Sequence, residues 1–387
     1  MLTAWAGPRD DYRAWLRTVK NTHERQIRVR VLNLDHKVLS TFATGAFVDG
    51  QVTIDTTRDV SRVLNISLLD PSRSIGWEPD SPSSLPTHMR RMLQVLDGRL
   101  VPGVGWLWCP CFTGPVMDFD RDGALVSIVA DGKDRLAMGE VGRNLHYGSK
   151  RKVTTVIREL LLEAGEAPSR IHLPELDETL PKALTLHRGD AIWPAAKKLA
   201  QATNRVIYFD GRGHVRMRRI PAKPVLTLDR DTLAAPVRLD RAPIEVKNRW
   251  VVMGPKPKGD KKRVVVDIKL PAKHPYSGQS LGRNGKPRWL MEVTTNSSIK
   301  NRKKATEIAV QQRNDQQNAV TQATIDCLPF PHLEEYDRVK AVDPAVGVVA
   351  SRATQLTLPL SEGVMTIGEV NRVAIVKRGR RKKGPKK

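Results

Sequence analysis

Three cysteines, Cys109, Cys111 and Cys327, are all that the 387 residues hold. So sparse and odd a set excludes the stapled framework of a small secreted domain, and predicts reduced thiols in a protein made in the cytosol. Aromatic residues make up only 5%, although eight of them are Trp. No uninterrupted apolar run approaches the roughly 18 residues of a membrane helix, so no membrane span is expected. The opening "MLTAWAGPRDDYRAW" is charged by Arg9 and lacks the apolar stretch of a secretory signal. Acidic residues are outnumbered, 41 Asp and Glu against 65 Lys and Arg, for a formal charge of +24. From Lys377 to Lys387 eight residues are basic and none is acidic, and the rest of the chain still carries +16. This excess bears on partners and not on fold; nucleic acid, an acidic protein surface and an anionic envelope all fit it.

The pattern divides the chain into parts. Residues 1–145 read mainly as strands. "RQIRVRVLNLD" alternates Ile27, Val29 and Val31 against Arg28 and Arg30, the period of a half-buried strand. Before it, Tyr12, Trp15, Leu16 and Val19 share one helical face. "GQVTIDTT", "RVLNISLLD", "WLWCPCFTG" and "ALVSIVADGKD" are further strands between Gly, Asp and Pro turns. Short strands at close spacing predict a barrel or sandwich.

Residues 146–222 change period. Val153, Val156, Ile157, Leu160 and Leu161 fall on one helix face, stopped by Gly165. "GDAIWPAAKKLAQATN" is a second helix, with Asp190 placed to cap it. "RVIYFDGRGHVRMRRI" is a hairpin about a loop at Asp210–Gly213. Together they predict a small α/β domain. Residues 223–376 return to strands, interrupted by one long helix near 299–317 with a narrow small-residue face at Ala305, Ile308 and Ala309. "GPKPKGDKK" is a polar loop within them. Residues 377–387 are too charged to fold.

No motif for chemistry is complete. "DFDRDG" (Asp118–Gly123) opens like a calcium loop, but its twelfth position is Val129 where a bidentate Glu is needed, and it reads as a hairpin turn. "CPC" supplies two thiols without two further ligands at zinc spacing, so both cysteines read as small buried hydrophobes. "GQSLGRNGKP" puts Pro287 where a phosphate loop needs Ser or Thr. A GxSxG elbow is absent, and His187 and Asp190 sit three apart with no nucleophile beside them. The sequence therefore predicts no catalytic residue, no metal site and no cofactor.

The order of segments resembles the baseplate or tail-tip hub proteins of tailed bacteriophages, in particular minor tail proteins of siphophages of actinobacteria. Four stretches carry the resemblance: "GQVTIDTTRDVSRVLNISLLDP"; "KVTTVIRELLLEAG" with "DAIWPAAKKLAQATNRVIYFDGRGHVRMR"; "HPYSGQSLGRNGKPR"; and "KKATEIAVQQRNDQQNAVTQATIDCLPFPHLEEYDRVKA". The last holds a P-x-L-E-x-x-D-x-V phrase at Pro331, Leu333, Glu334, Asp337 and Val339. The resemblance spans about residues 25 to 376; the positive charge, the "CPC" strand and the basic tail depart from it.

What it implies is a mainly β chain with α+β content: two tail-tube-like β-barrel domains, 1–145 and 223–376, about a small α/β domain. It also implies a homotrimer whose six barrels continue a hexameric tail tube to a threefold tip. The lumen would hold the end of the tape-measure protein and pass DNA; the distal tail protein and other tip proteins would be neighbours in the virion. A DNA-passing wall favours neutral or weakly attractive groups, since dense Lys and Arg retain a polyanion through counterion release. Most basic residues are accordingly expected on outer or inter-protein surfaces. Trp106 and Trp108 share one strand face and are the expected interface, with Cys109 pointing the other way. Lys377, Arg378, Arg380, Arg381, Lys382 and Lys383 are the expected polyanion or partner contact. The alternative is a nucleic-acid-binding protein using the basic body and tail, although no helix-turn-helix, zinc-finger or RNA-binding sheet signature is present.

Overall fold

Seven strands follow the first turn of chain: β1 (Arg25–Asn33), β2 (Val38–Thr41), β3 (Phe47–Asp55), β4 (Arg62–Leu69), β5 (Arg91–Val101), β6 (Gly105–Asp122) and β7 (Leu125–Asp131). The computed structural model describes residues 18–19, 24–76, 91–240, 247–256, 263–295, 299, 301–317, 322–369 and 374–376. Of the expected first helix, Val19 is buried, while Tyr12, Trp15 and Leu16 lie outside the described residues. In β1 the alternation holds: Ile27, Val29 and Val31 are buried, and Arg28 and Arg30 face the other way.

β6 is longer than "WLWCPCFTG" suggests because it serves two layers. Its first half pairs with β5, as far as Met92 opposite Pro115. Its second half pairs with β7, starting at Val116 opposite Ala130 and shifting register before Asp118. Pro115 has no N–H to donate, and a bulge adds local twist, so the strand turns a corner there. Gly114 is required at the corner, since a Cβ would stand 1.9 Å from the Asp131 carbonyl oxygen. One layer is thus β6–β5–β1–β2 and the other β3–β4–β7–β6, with a common core between them.

After a short α1 (Asp134–Ala137) come β8 (Leu145–Tyr147), α2 (Val153–Glu163), β9 (Ile171–His172), β10 (Leu184–Leu186), α3 (Ile192–Ala202), β11 (Val206–Phe209) and β12 (Val215–Arg218). All five apolar residues expected on α2 are buried, and with Trp193, Ile207 and Val215 they form a second core. Asp190 is not the cap of α3. Its carboxylate accepts the His187 amide at 2.8 Å, closing the turn through Gly189, and the helix starts beyond Ala191 with no side-chain cap. The hairpin forms as expected, its loop held by the Asp210 carboxylate, which accepts the Arg212 and His214 amides.

The last part contains β13 (Leu226–Leu228), β14 (Arg238–Asp240), β15 (Arg249–Met253), β16 (Val265–Lys269), β17 (Met291–Thr295), α4 (Arg302–Gln317), β18 (Gln322–Cys327), β19 (Arg338–Asp343), β20 (Gly347–Arg352), β21 (Gln355–Pro359), β22 (Met365–Glu369) and β23 (Ala374–Val376). Ala305 and Ala309 of α4 pack with Val252 and Val266 of the inserted sheet β16–β15–β17. The remaining strands again make two layers, β14–β18–β22–β21 and β13–β19–β20–β23.

The first and last parts share one sheet. β3 pairs with β21 from Gln355 opposite Asp55 to Pro359 opposite Gln51. The join gives an eleven-stranded sheet, and its apolar side is one core from Val19 to Ile367. Neither part closes into a barrel among the described strands; pairing β3 with β21 satisfies two edges that closure would otherwise have to satisfy.

Candidate interaction faces and a buried junction

The Glu334 phrase is the knot of the molecule. Arg62 on β4 donates to Glu334 at 2.5 Å and to the Cys111 carbonyl at 2.6 Å. Glu334 also accepts the Gly211 amide of the hairpin at 3.0 Å. Ser61 donates its hydroxyl to Glu335 at 2.6 Å and its amide to Asp134 at 2.7 Å. Arg218 of β12 donates to Asp337 at 2.8 Å and to the Glu335 carbonyl at 2.6 Å. All three parts of the chain meet here, with Arg62, Asp134, Asp210, Glu334, Glu335 and Asp337 buried. Burial pushes the Glu335 carboxyl up to about 7 and raises Glu334 too, against the opposing pull of Arg62. A second ion cluster links the ends of the chain: Arg25 donates to Asp97 at 2.8 Å and to the Ser361 carbonyl at 2.6 Å, and Arg99 donates to Asp97 at 2.7 Å.

The shared sheet presents a solvent face built from four strands of each part. One row runs Asp326, Thr366, Thr357, Thr53, Val63, Asp131 across six strands. The next runs Pro359, Gln51, Asn65, Val129, Asp118, and a third Asp49, Ser67, Ser127, Asp120. Among the described residues, no Lys or Arg occupies an outward position of β18, β22, β21, β3, β4 or β7; Arg62 points into the core. Guanidinium groups meet its carboxylates from the rim: Arg238 on the edge strand β14 is bonded to Asp326 at 3.0 Å, and Arg58 and Arg135 lie 3.4 Å from Asp55 and 3.8 Å from Asp131. In a chain of net charge +24 this face is neutral to acidic.

The other layer carries the opposite character. Trp106 and Trp108 stack side by side on β6, ring centroids 5.7 Å apart, both half-buried. The Arg28 guanidinium caps Trp108 at 3.8 Å. Trp108 lies flat on Gly98 of β5, where any Cβ would meet the ring at 2.5 Å. Cys109, between the two Trp residues and the core, is buried and points away from them. Cys111 and Cys327 are buried too, and desolvation holds both thiols up at about 12.

Asp118–Gly123 is the end of β6 and its turn into β7, with Gly123 at φ 61°. Lys377, Arg378, Arg380, Arg381, Lys382 and Lys383 lie outside the described residues, as do Trp5, Trp15 and Trp77. Trp193 and Trp250 are core residues, and Trp289 lies beneath Arg249 and Lys269. Among the described residues no His, Cys, Asp and Glu cluster has the form of a metal site, and no helix is long and apolar enough to cross a membrane. The neutral face is masked in the sequence by the large total charge. Its signal was the run of Thr, Gln, Asn and Ser at alternate positions of "QVTID", "LNISL", "VSIV" and "QLTLP".

No protein-family profile and no curated protein sequence matches the chain. Solved structures do. The 43 kDa tail protein of prophage MuSo2 from Shewanella oneidensis aligns over 89% of this chain and 98% of its own, with a TM-score of 0.59 at 12% identity. The tail protein from Neisseria meningitidis MC58 aligns over 90% and 96%, with a TM-score of 0.59 at 13% identity. Prophage tail protein gp18 from Listeria monocytogenes EGD-e aligns over 89% and 94%, with a TM-score of 0.52 at 10% identity. At these identities the likeness is one of fold: the chain is folded like phage tail proteins over nearly its whole length.

Proposed function

We propose that the chain is a structural protein of a phage tail tip, a hub of which three copies form a ring that continues the tail tube. The observation that carries this reading is the eight-stranded face, four strands from each part, without an outward Lys or Arg from β18 to β7. Three such chains supply six four-stranded walls, the number needed to meet a sixfold tube with a threefold ring. The face is suited to line the channel, because phosphates meet hydroxyls, amides and carboxylates there and release no counterions on contact. Each part would then act as one barrel-like unit of the ring, its wall completed against the next copy.

The neighbours follow from the position: tape-measure protein and, transiently, DNA inside the channel; the distal tail protein and other tip proteins outside it. The Trp106–Trp108 stack, on the other layer, is suited to an outer contact, since a rigid aromatic pair offers large area at low entropic cost. The buried junction has a mechanical role in this reading. It ties the α/β unit to both walls through short charged hydrogen bonds, so that the ring passes load as one body.

A nucleic-acid-binding role would put unpaired Lys and Arg across the largest continuous face, whereas from β18 to β7 none points outward and Arg238, Arg58 and Arg135 at its rim are paired with Asp326, Asp55 and Asp131. The test is the mass of the purified full-length protein across a concentration series. A trimer supports the ring; a persistent monomer, alone and with its tail neighbours, overturns it.

A further inference from the structure

The α/β unit has an outer rim that neither the channel face nor the buried junction uses. β9 runs parallel to β12, which sets His172 beside Arg216. His214 precedes β12, and its Nδ1 lies 3.2 Å from His172 Nε2, within hydrogen-bond distance when one of the two nitrogens carries the proton. Arg158 of α2 reaches the Ile171 carbonyl at 3.4 Å, one residue from His172. His36, on the turn between β1 and β2, stands with its ring centroid 6.3 Å from that of His214.

Two of the three carboxylates of this neighbourhood are engaged with cations, while Asp35, beside His36, is exposed. Asp210 is wholly buried and bonded to Arg216 at 2.8 Å. Glu166 is bonded to buried Lys133 at 2.7 Å, and Arg170 lies 4.0 Å from it. Lys133, Arg158, Arg170, Arg212 and Arg216 outnumber Asp35, Glu166 and Asp210, so the rim is net positive. The imidazoles register it: burial first, then Arg216, Arg158 and Arg212, hold His172 down despite Asp210. Burial, His172, Arg216 and Arg212 likewise bring His214 down to about 4, against the pull of Asp210. Burial, Lys133, Arg170 and His214 act the same way on His36.

We propose that this rim is a docking site for a carboxylate-rich segment of a neighbouring protein, received by His172, His214, Arg158, Arg212 and Arg216, with the imidazoles taking up protons as it binds. An arriving anion offsets the Coulombic part of the penalty on the rings, so affinity and protonation rise together. Guanidinium groups offer paired donors to each carboxylate. A protein segment fits better than nucleic acid for two reasons. The hairpin packs on β6 at Pro110–Thr113, in the layer away from the channel face. Its own rings, Tyr208 and Phe209, are buried and offer bases no stacking surface. The choice of protein over nucleic acid rests in part on the channel reading above, whereas the site itself belongs to the single chain, so the titration below reads it whether or not a ring forms.

The test is an NMR titration of the His172 and His214 imidazoles in the full chain, with and without a hexa-aspartate peptide. The peptide stays ionised to about pH 5, and Lys and Arg elsewhere, including those after Val376, do not titrate in this range. The His172 midpoint is expected to rise by about one unit and that of His214 to rise with it, with binding about three- to eightfold tighter at pH 5.5 than at pH 7.5. Arg158→Gln and Arg212→Gln should each reduce the rise. Unchanged midpoints overturn the site. A larger rise with a single-stranded oligonucleotide of equal charge overturns its assignment to carboxylates.

Discussion

Arg62 and Glu334 lie 272 residues apart in sequence and meet at 2.5 Å with side chains 4% and 1% exposed. Removing one partner leaves the other buried and uncompensated. Arg62→Met or Glu334→Ala is therefore expected to cost about 3–5 kcal/mol, while the double variant costs less than the sum of the two. Urea unfolding measures it; additive losses would show that the two groups do not depend on each other.

Acid should loosen the seam between the α/β unit and the β1–β2 turn. Burial and neighbouring cations depress His36 to about 3 and His214 to about 4, so the unfolded chain takes up these protons first. Their contribution to stability is complete above the unfolded value near 6.5 and is lost as pH falls from there toward 3–4. Glu335 runs the other way: raised to about 7, it favours the fold more as pH drops from 7 toward 4.5. The double variant His36→Gln with His214→Gln should therefore move the pH of maximum stability downward. Denaturant midpoints at a series of pH values read this directly, and a profile identical to wild type would refute it.

Much of the fold was legible because burial in it follows local period. The five apolar residues of α2, the alternation in β1 and the hairpin loop at Asp210 all lie where period and turn chemistry put them. What was not legible is non-local. Nothing near Gln51 announces that β3 will pair with β21, about 300 residues on, rather than close its own barrel. Asp190 has capping chemistry, but the turn before it claimed the carboxylate. The Glu334 phrase was visible as a pattern, and its role was not, since its partners come from Arg62, Gly211 and Arg218. The pairing of His172 with His214 likewise depends on a parallel β9–β12 contact with no local signature.

Gly98 should tolerate no side chain. A Cβ there meets the Trp108 ring at 2.5 Å, so Gly98→Ala forces the ring off β5 and away from Arg28. The expected loss is about 1–3 kcal/mol, with a change in near-ultraviolet circular dichroism. Retention of both the spectrum and the stability would contradict the stacked arrangement.

The three thiols should be silent in the folded protein. Cys109, Cys111 and Cys327 are buried, and burial keeps them protonated. Ellman's reagent is expected to react with none of them in buffer and with all three in urea. Rapid labelling of any thiol without denaturant would show that its wall opens in the native state.

A cryo-electron-microscopy reconstruction of the assembled protein shows which face lines the channel. The expected result is a threefold ring with Gln51, Asn65, Ser127, Thr357 and Thr366 on its inner wall and the Trp106–Trp108 stack away from the channel. A channel lined by Lys and Arg, or a ring with the β3–β4–β7 face turned outward, would contradict it.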